Sequence, residues 1–136
     1  MMDQNIRILI LEDRTSDAAL INFELTEAGL NFTQLWVVNE EEFLRGLEEF
    51  SPDLILSDYD LPQYNGALAL TEAKKRFPEV PFILVTGALD KDPERIGKIL
   101  ARGASDYVLK DCLDQLAPAI HCALGSGRRV QSDPCQ

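Results

Sequence analysis

The chain has 136 residues, 46% of them hydrophobic, and a formal net charge of −10. This length fits one domain with a buried core, and the apolar content excludes a disordered chain. The acidic excess argues against direct binding to nucleic acid or to a membrane surface.

Targeting and redox signals point to a cytoplasmic protein. No apolar run approaches the roughly 18–20 residues that span a bilayer, and the polar N-terminus lacks a signal-peptide pattern. The three cysteines have no metal-ligand spacing. We therefore expect reduced thiols and a cytoplasmic location.

Short apolar runs alternate with amphipathic segments along the chain. Strands are predicted near residues 6–11, 33–38, 53–57, 82–85 and 106–109, and helices near 15–28, 40–49, 66–76, 93–102 and 114–124. Gly29 and Gly103 are predicted helix ends, and Asp92-Pro93 is a predicted helix start. Because Pro118 is excluded from a helix interior, a turn near 112–116 is expected before the last helix.

Strands and helices that alternate at this spacing predict parallel strand pairing with right-handed crossovers. We expect an α/β fold, a single doubly wound (βα)5 flavodoxin-like three-layer sandwich. Its sheet order 2-1-3-4-5 is taken over from known doubly wound proteins. Residues 1–124 would form this domain, and residues 125–136 a flexible tail or linker. Five phenylalanines are expected in or near the core: Phe23, Phe43, Phe50, Phe77 and Phe82.

Polar residues stand where four predicted strands end. They are Glu12-Asp13 after the first strand, Asp58 and Asp60 after the third, Thr86 at the end of the fourth and Lys110 after the fifth. Parallel strands bring their carboxyl ends to one edge, so these side chains should share a cleft. Carboxylates about 5 Å apart repel by roughly 3 kcal/mol per pair at an effective dielectric near 20. Such a cluster takes up protons or binds a cation, and oxygen ligands on a shallow edge suit Mg²⁺.

An aspartate in such a cleft can attack phosphorus and form an acyl phosphate. Asp58 is the candidate, with Mg²⁺ and Lys110 compensating charge and the Thr86 hydroxyl donating to a phosphoryl oxygen. Each residue alone has a plainer explanation, since Glu12-Asp13 would also cap the next helix and Asp58 its own loop. The prediction depends on the combination.

Together these residues resemble the receiver domain of two-component response regulators, over essentially residues 6–124. The resemblance is carried by Glu12-Asp13, the Asp53–Pro62 segment that contains Asp58, Gly66, Val85-Thr86-Gly87-Ala88 and Gly103–Lys110. It implies that Asp58 accepts a phosphoryl group from the phosphohistidine of a sensor kinase or phosphotransfer protein. It also implies Mg²⁺ (or Mn²⁺) bound by Glu12, Asp13, Asp58 and the backbone carbonyl of Asp60.

The resemblance further implies a conformational switch. Thr86 and Lys110 would contact the phosphoryl group, and the aromatic ring of Tyr107 would move inward with Thr86. This movement would bias the face of helix 4, strand 5 and helix 5 toward an output domain or partner protein. The chain would be a self-phosphorylating and autodephosphorylating phosphoacceptor rather than a turnover enzyme, and a homodimer is left open.

Two residues depart from the family pattern. Asp111 follows Lys110 where relatives usually have proline, which predicts either a trans bond with a rearranged loop or a strained cis bond costing about 3 kcal/mol. Asp60 stands at a position that is often uncharged. If its side chain faces the cleft, it adds repulsion toward the acyl phosphate.

Two other functions remain open at this point. Asp58-Tyr59-Asp60 has the Asp-x-Asp spacing of haloacid-dehalogenase-like phosphatases. In those enzymes, however, the motif follows the first strand, the acidic pair Glu12-Asp13 would have no role, and this chain lacks length for a substrate cap. The second alternative is a degenerate receiver that acts only as a binding module.

Overall fold

The structure is a computed structural model that describes residues 5–87 and 93–125. Its strands are β1 (Ile6–Leu11), β2 (Phe32–Val37), β3 (Leu54–Ser57), β4 (Asp60–Leu61), β5 (Tyr64–Asn65), β6 (Phe82–Thr86) and β7 (Asp106–Leu109). Its α-helices are α1 (Thr15–Glu27), α2 (Glu40–Glu49), α3 (Gly66–Arg76), α4 (Pro93–Ala101) and α5 (Leu116–Gly125), with a 3-10 helix at Lys110–Gln115.

Five strands form one parallel sheet in the order β2-β1-β3-β6-β7. Counted along these five strands, this is the predicted order 2-1-3-4-5, so the doubly wound α/β fold is confirmed. Between β3 and α3, the strands β4 and β5, of two residues each, form a separate antiparallel hairpin. This hairpin was not predicted from the sequence.

The sheet is covered on both faces, which explains why its strands are apolar without alternation. On one face, Leu9 and Leu11 belong to a buried cluster with side chains of α2, α3 and α4. On the other face, Ile8 and Ile10 belong to a second cluster with side chains of α1 and α5. β1 is therefore packed on both sides, and its carboxyl end is held rigidly at the edge where the polar residues lie.

Most predicted helix ends are confirmed. Gly29 and Gly103 have positive φ angles of 82° and 118° just after α1 and α4, the left-handed conformation that glycine adopts readily. Pro93 is the first residue of α4, as predicted, while its predicted cap Asp92 lies outside the described residues. α5 begins at Leu116, so Pro118 lies in the first turn, where no backbone hydrogen bond is lost.

The structure shows the conformation of the bond between Lys110 and Asp111, the residue that stands where relatives usually have proline. The described residues contain no cis peptide bond, so the Lys110–Asp111 bond is trans. The chain continues from Lys110 into the 3-10 helix, which is kinked at Cys112 (φ −131°, ψ 47°). The predicted trans bond is therefore confirmed, and the predicted cis alternative is wrong.

Two sequence predictions are wrong. Phe23 is 61% exposed on α1, whereas Phe43 and Phe82 are buried and Phe50 and Phe77 pack against the core. The expectation of reduced thiols fails at Cys112, which is disulfide-bonded, although Cys122 is a free thiol.

Residues 126–136, which include Cys135 and nearly all of the predicted tail, lie outside the described residues. Among the helices that the structure describes, none combines the length and apolar content that crossing a bilayer requires.

Candidate functional site

Two acidic residues lie side by side at the carboxyl edge of the sheet because β1 and β3 are neighbours. Leu11 pairs with Ser57 in the parallel ladder, and the next residues are Glu12 and Asp58. The backbone N–H of Asp58 donates to the carbonyl of Leu11 at 3.0 Å. The backbone of both residues is thus fixed by the sheet, as the strand-end pattern predicted.

The predicted carboxylate cluster is present. One side-chain oxygen each from Glu12, Asp13 and Asp58 lies within 4.8 Å of the others. Glu12 and Asp58 are buried and Asp13 is half-buried. The cluster therefore opens to solvent on the Asp13 side, where a partly hydrated cation has access.

The donor set fits a hard divalent cation such as Mg²⁺, which prefers carboxylate oxygens together with retained waters. Glu12 Oε1 is buried, and the Lys110 ammonium lies 2.9 Å from it. Its other carboxylate oxygen accepts from the backbone N–H of Arg14 at 3.0 Å. A carboxylate oxygen that contacts one ammonium keeps acceptor capacity for a cation or a water molecule, so Glu12 Oε1 is suited to face a metal or its water shell.

The ammonium of Lys110 completes the cluster from β7. Its Nζ lies 3.1 Å from Asp58 Oδ2, 2.9 Å from Glu12 Oε1 and 2.7 Å from Asp17 Oδ2. The backbone N–H of Tyr59 donates to the other Asp58 oxygen at 2.7 Å. Both oxygens of Asp58 are therefore held in place, and one positive charge stands beside them.

Burial shapes the charges in this cleft. Burial raises the pKa of Asp58, and the Lys110 ammonium only partly offsets this shift. Burial likewise raises the pKa of Glu12, against the lowering effect of Lys110 and the Arg14 N–H. Burial alone would lower the pKa of Lys110, but its contacts with Asp17 and Glu12 and the charge of Asp58 outweigh it and raise that pKa. Negative charge is thus destabilised in the site, and positive charge is favoured.

Thr86 lies at the same edge as the cluster. It is the last residue of β6, is buried, and pairs with Leu109 of β7, next to Lys110. Tyr107, on the same strand as Leu109, is half-buried and packs against the core cluster on the α2–α3–α4 side of the sheet.

The backbone of Asp60 is fixed by its pairing with Asn65 in the β4–β5 hairpin. The side chain of Asp60 lies outside what the structure describes, so the expectation that it adds charge to the cleft stays a prediction.

Two residues at the site were not predicted from the sequence. Asp17, in the first turn of α1, makes the shortest of the three contacts with Lys110. Trp36, on the edge strand β2, donates its indole N–H to the backbone carbonyl of Glu12. The one signal for Asp17 was its place in the helix that follows Glu12-Asp13, and acidic residues are common there because they stabilise a helix N-terminus.

Comparison with known proteins agrees with this geometry. A model of the response regulator receiver domain family matches residues 8–120. Two-component response regulator ORR8 of Oryza sativa subsp. indica is 31% identical over 103 residues, covering 76% of this chain and 84% of that protein. Luminescence regulatory protein LuxO of Vibrio campbellii is 30% identical over 127 residues, covering 91% of this chain but 27% of that protein. The chain thus spans about a quarter of this longer relative.

A solved structure of a receiver domain protein is also similar to this chain. The CheY-like response regulator receiver domain protein of Methanospirillum hungatei is 28% identical with a TM-score of 0.75, and the match covers 89% of this chain and 94% of that one. The chain therefore belongs to the response regulator receiver domain family, the signalling modules of two-component systems.

Proposed function

We propose that Asp58 is the phosphoacceptor of this receiver domain and takes a phosphoryl group from the phosphohistidine of a sensor kinase or phosphotransfer protein. The observation that carries the proposal is the position of the Lys110 ammonium, 3.1 Å from Asp58 Oδ2 and beside the three-carboxylate cluster. Lys110 is placed to neutralise charge on a phosphoryl group bound to Asp58.

In this reaction an Asp58 carboxylate oxygen forms a bond to phosphorus, while the bond from phosphorus to the imidazole nitrogen breaks. The nitrogen leaves with the bonding electron pair, and the products are an acyl phosphate and histidine. Because phosphoryl transfer requires mainly alignment and charge compensation, the protein's task is to hold Asp58 still. The N–H of Tyr59 and the ammonium of Lys110 do so at 2.7 and 3.1 Å.

Glu12, Asp13 and Asp58 would hold Mg²⁺ or Mn²⁺, joined by the backbone carbonyl of Asp60. A bound divalent cation supplies positive charge that offsets the repulsion between the carboxylates and an incoming phosphoryl group. The grouping of one side-chain oxygen each from Glu12, Asp13 and Asp58 within 4.8 Å of one another supports this assignment. Thr86, at the end of β6, would donate its hydroxyl to a phosphoryl oxygen.

The response to phosphorylation would pass through Thr86 and Tyr107. A phosphoryl group adds nearly two negative charges, which would draw the Thr86 hydroxyl and Lys110 toward it. Tyr107 is half-buried on β7, and its ring would move inward as Thr86 shifts. The face of α4, β7 and α5 would then change its affinity for an output domain or partner protein.

The setting follows from the family. Residues 1–124 would be the receiver domain and residues 125–136 a tail or linker, in a cytoplasmic location, and the chain would act as a separate protein or as part of a larger regulator, with a homodimer left open. The chain would pass on a signal rather than turn over a substrate. A haloacid-dehalogenase-like phosphatase is disfavoured because Asp58 follows the third strand of the sheet.

Incubation with acetyl phosphate and Mg²⁺, followed by intact-mass spectrometry, tests the proposal. The expected result is one added phosphoryl group, lost in Asp58→Asn and kept in Asp53→Asn, which removes an aspartate from the opposite end of the same strand. Absence of labelling in the folded wild type would identify a degenerate receiver. Steady turnover of p-nitrophenyl phosphate would instead identify a phosphatase.

A further inference from the structure

Among the described carboxylates that contact Lys110, Asp17 is the one that the proposed chemistry does not use. It lies in the first turn of α1, and its Oδ2 accepts a hydrogen bond from Lys110 Nζ at 2.7 Å. The Lys110 contacts with Glu12 and Asp58 are longer, at 2.9 and 3.1 Å. Asp17 therefore holds the ammonium at least as closely as the phosphoacceptor does.

Lys110 has as many carboxylate oxygens around it as it has N–H donors. An ammonium has three N–H donors, and three carboxylate oxygens lie within 3.1 Å of it. On phosphorylation the Lys110 contact with Asp58 passes to the phosphoryl group, so any further N–H that Lys110 donates to a phosphoryl oxygen must be taken from Glu12 or Asp17.

The three carboxylates differ in the cost of release. The side chain of Glu12 is 1% exposed and that of Asp58 is 9% exposed, whereas the side chain of Asp17 is 21% exposed. A buried carboxylate that loses its counter-charge stays desolvated, whereas a more exposed one is rehydrated and screened. Of Glu12 and Asp17, the two carboxylates that remain once Asp58 carries a phosphoryl group, Lys110 therefore releases Asp17 more cheaply.

We propose that Asp17 is a positioning residue that competes with the phosphoryl group for the Lys110 ammonium and thereby weakens phosphoryl binding at Asp58. This inference rests on the proposed function, since it concerns the same site. It adds that phosphorylation draws Lys110 away from α1. The strength of that contact then sets how readily the domain is phosphorylated.

The test compares the binding of beryllofluoride, a phosphoryl mimic, by calorimetry at saturating Mg²⁺. Asp17→Asn keeps the size of the side chain and removes its charge, and it should bind the mimic about twofold to tenfold more tightly, as expected for a partly exposed ion pair. Labelling by acetyl phosphate should accelerate to a similar extent. The matched control is Glu27→Gln, which removes the same charge from the other end of α1 and should behave as wild type.

A second comparison separates competition for Lys110 from a general effect of charge. In a Lys110→Ala background, Asp17→Asn should give no further gain, because the contested ammonium is gone. An equal gain in both backgrounds, or no gain in the folded Asp17→Asn protein, would overturn the inference while the proposed function stands. If the folded wild type neither binds the mimic nor accepts a phosphoryl group, the proposed function fails and this inference fails with it.

Discussion

Trp36 donates its indole N–H to the backbone carbonyl of Glu12, so the edge strand β2 is joined directly to the carboxylate cluster. Trp36 is the single tryptophan in the chain. Its emission therefore reports on one place only, the backbone of a predicted metal ligand. This geometry turns an intrinsic property of the protein into a probe of the site.

We predict that Mg²⁺ at millimolar concentration changes the emission of Trp36 with a saturable dependence. Ligation of the Glu12 carboxylate would alter the charge and position of the group that Trp36 contacts. The double variant Glu12→Gln/Asp13→Asn should lose the response and keep its emission spectrum without metal. An unchanged response in this variant would place the metal elsewhere.

The same cation should stabilise the fold. A ligand that binds only the folded state raises the free energy of unfolding by about 1.4 kcal/mol at tenfold excess over its Kd. Thermal melting with and without Mg²⁺ measures this shift, and NaCl at equal ionic strength controls for general screening. A flat melting temperature across the titration would contradict the cation site.

Asp58→Asn should stabilise the metal-free protein at neutral pH. Burial raises the pKa values of Asp58 and Glu12, so these groups contribute stability that is fully present below the pKa of an unfolded carboxyl. That stability is lost as pH rises through the raised values in the folded protein. An amide at residue 58 removes this loss.

Melting curves without metal, recorded from acidic to neutral pH, measure the effect. The wild type should lose stability across this range, and the Asp58→Asn variant should lose less of it. Glu27→Gln, an exposed change of the same charge, should follow the wild type. A lower melting temperature for Asp58→Asn at neutral pH would mean that the ion pair with Lys110 outweighs the cost of burial.

Gly66 is predicted to be essential for the position of Asp58. A Cβ at Gly66 would lie 2.9 Å from a Leu84 methyl carbon, 3.0 Å from the Asp58 carbonyl oxygen and 3.1 Å from Tyr59 Cα. Two of these neighbours are backbone atoms of the Asp58–Tyr59 segment, which has little freedom to shift. Gly66→Ala should therefore lower the free energy of unfolding by about 1–3 kcal/mol and reduce phosphorylation of Asp58.

Gly97, within α4, is the matched control for this change. A Cβ there meets no atom within 4 Å, and alanine favours a helix interior by about 1 kcal/mol over glycine. Gly97→Ala should thus leave stability unchanged or raise it. Equal melting temperatures for Gly66→Ala and wild type would show that the Asp58–Tyr59 segment moves more easily than its packing indicates.

The sequence predicted the sheet because its signals were local and redundant. Apolar runs without alternation marked β3 and β6 as strands covered on both faces, and Gly29 and Gly103 marked helix ends. The β4–β5 hairpin was not predicted because each of its strands has two residues, too few to show a periodic pattern. Phe23 was misjudged for a related reason, since an aromatic residue in a helix does not by itself reveal which face is covered.

The carboxylate cluster was predictable because it depends only on strand ends and sheet order. The contact between Asp17 and Lys110 was not, because it joins residues separated by 93 positions and depends on the rotation of α1 about its axis. The Trp36–Glu12 bond likewise depends on a side-chain rotamer. The sequence places residues at an edge of the sheet, whereas tertiary packing decides which of them touch.

Tyr64 gives the last prediction, which concerns alkaline stability. Its hydroxyl is buried without a hydrogen-bond partner among the described residues, and its ring lies 6.2 Å from that of Phe43. Burial and the charges of Glu40 and Glu72 raise the pKa of Tyr64 to about 12. The folded state therefore resists ionisation, and the stability this contributes is full below pH about 10 and lost as pH rises toward 12.

Tyr64→Phe should remove the contribution of Tyr64 to the loss of stability at alkaline pH. This contribution is on the order of 1–2 kcal/mol in the free energy of unfolding as pH rises from about 10 to about 12. At neutral pH it should change the free energy of unfolding by less than about 1 kcal/mol, because the hydroxyl that is removed has no hydrogen bond to lose. Urea unfolding at neutral and alkaline pH measures both effects. A cost well above 1 kcal/mol at neutral pH would show that the hydroxyl has a bonding partner, such as a buried water, and that Tyr64 contributes more than packing to the region between α2 and α3.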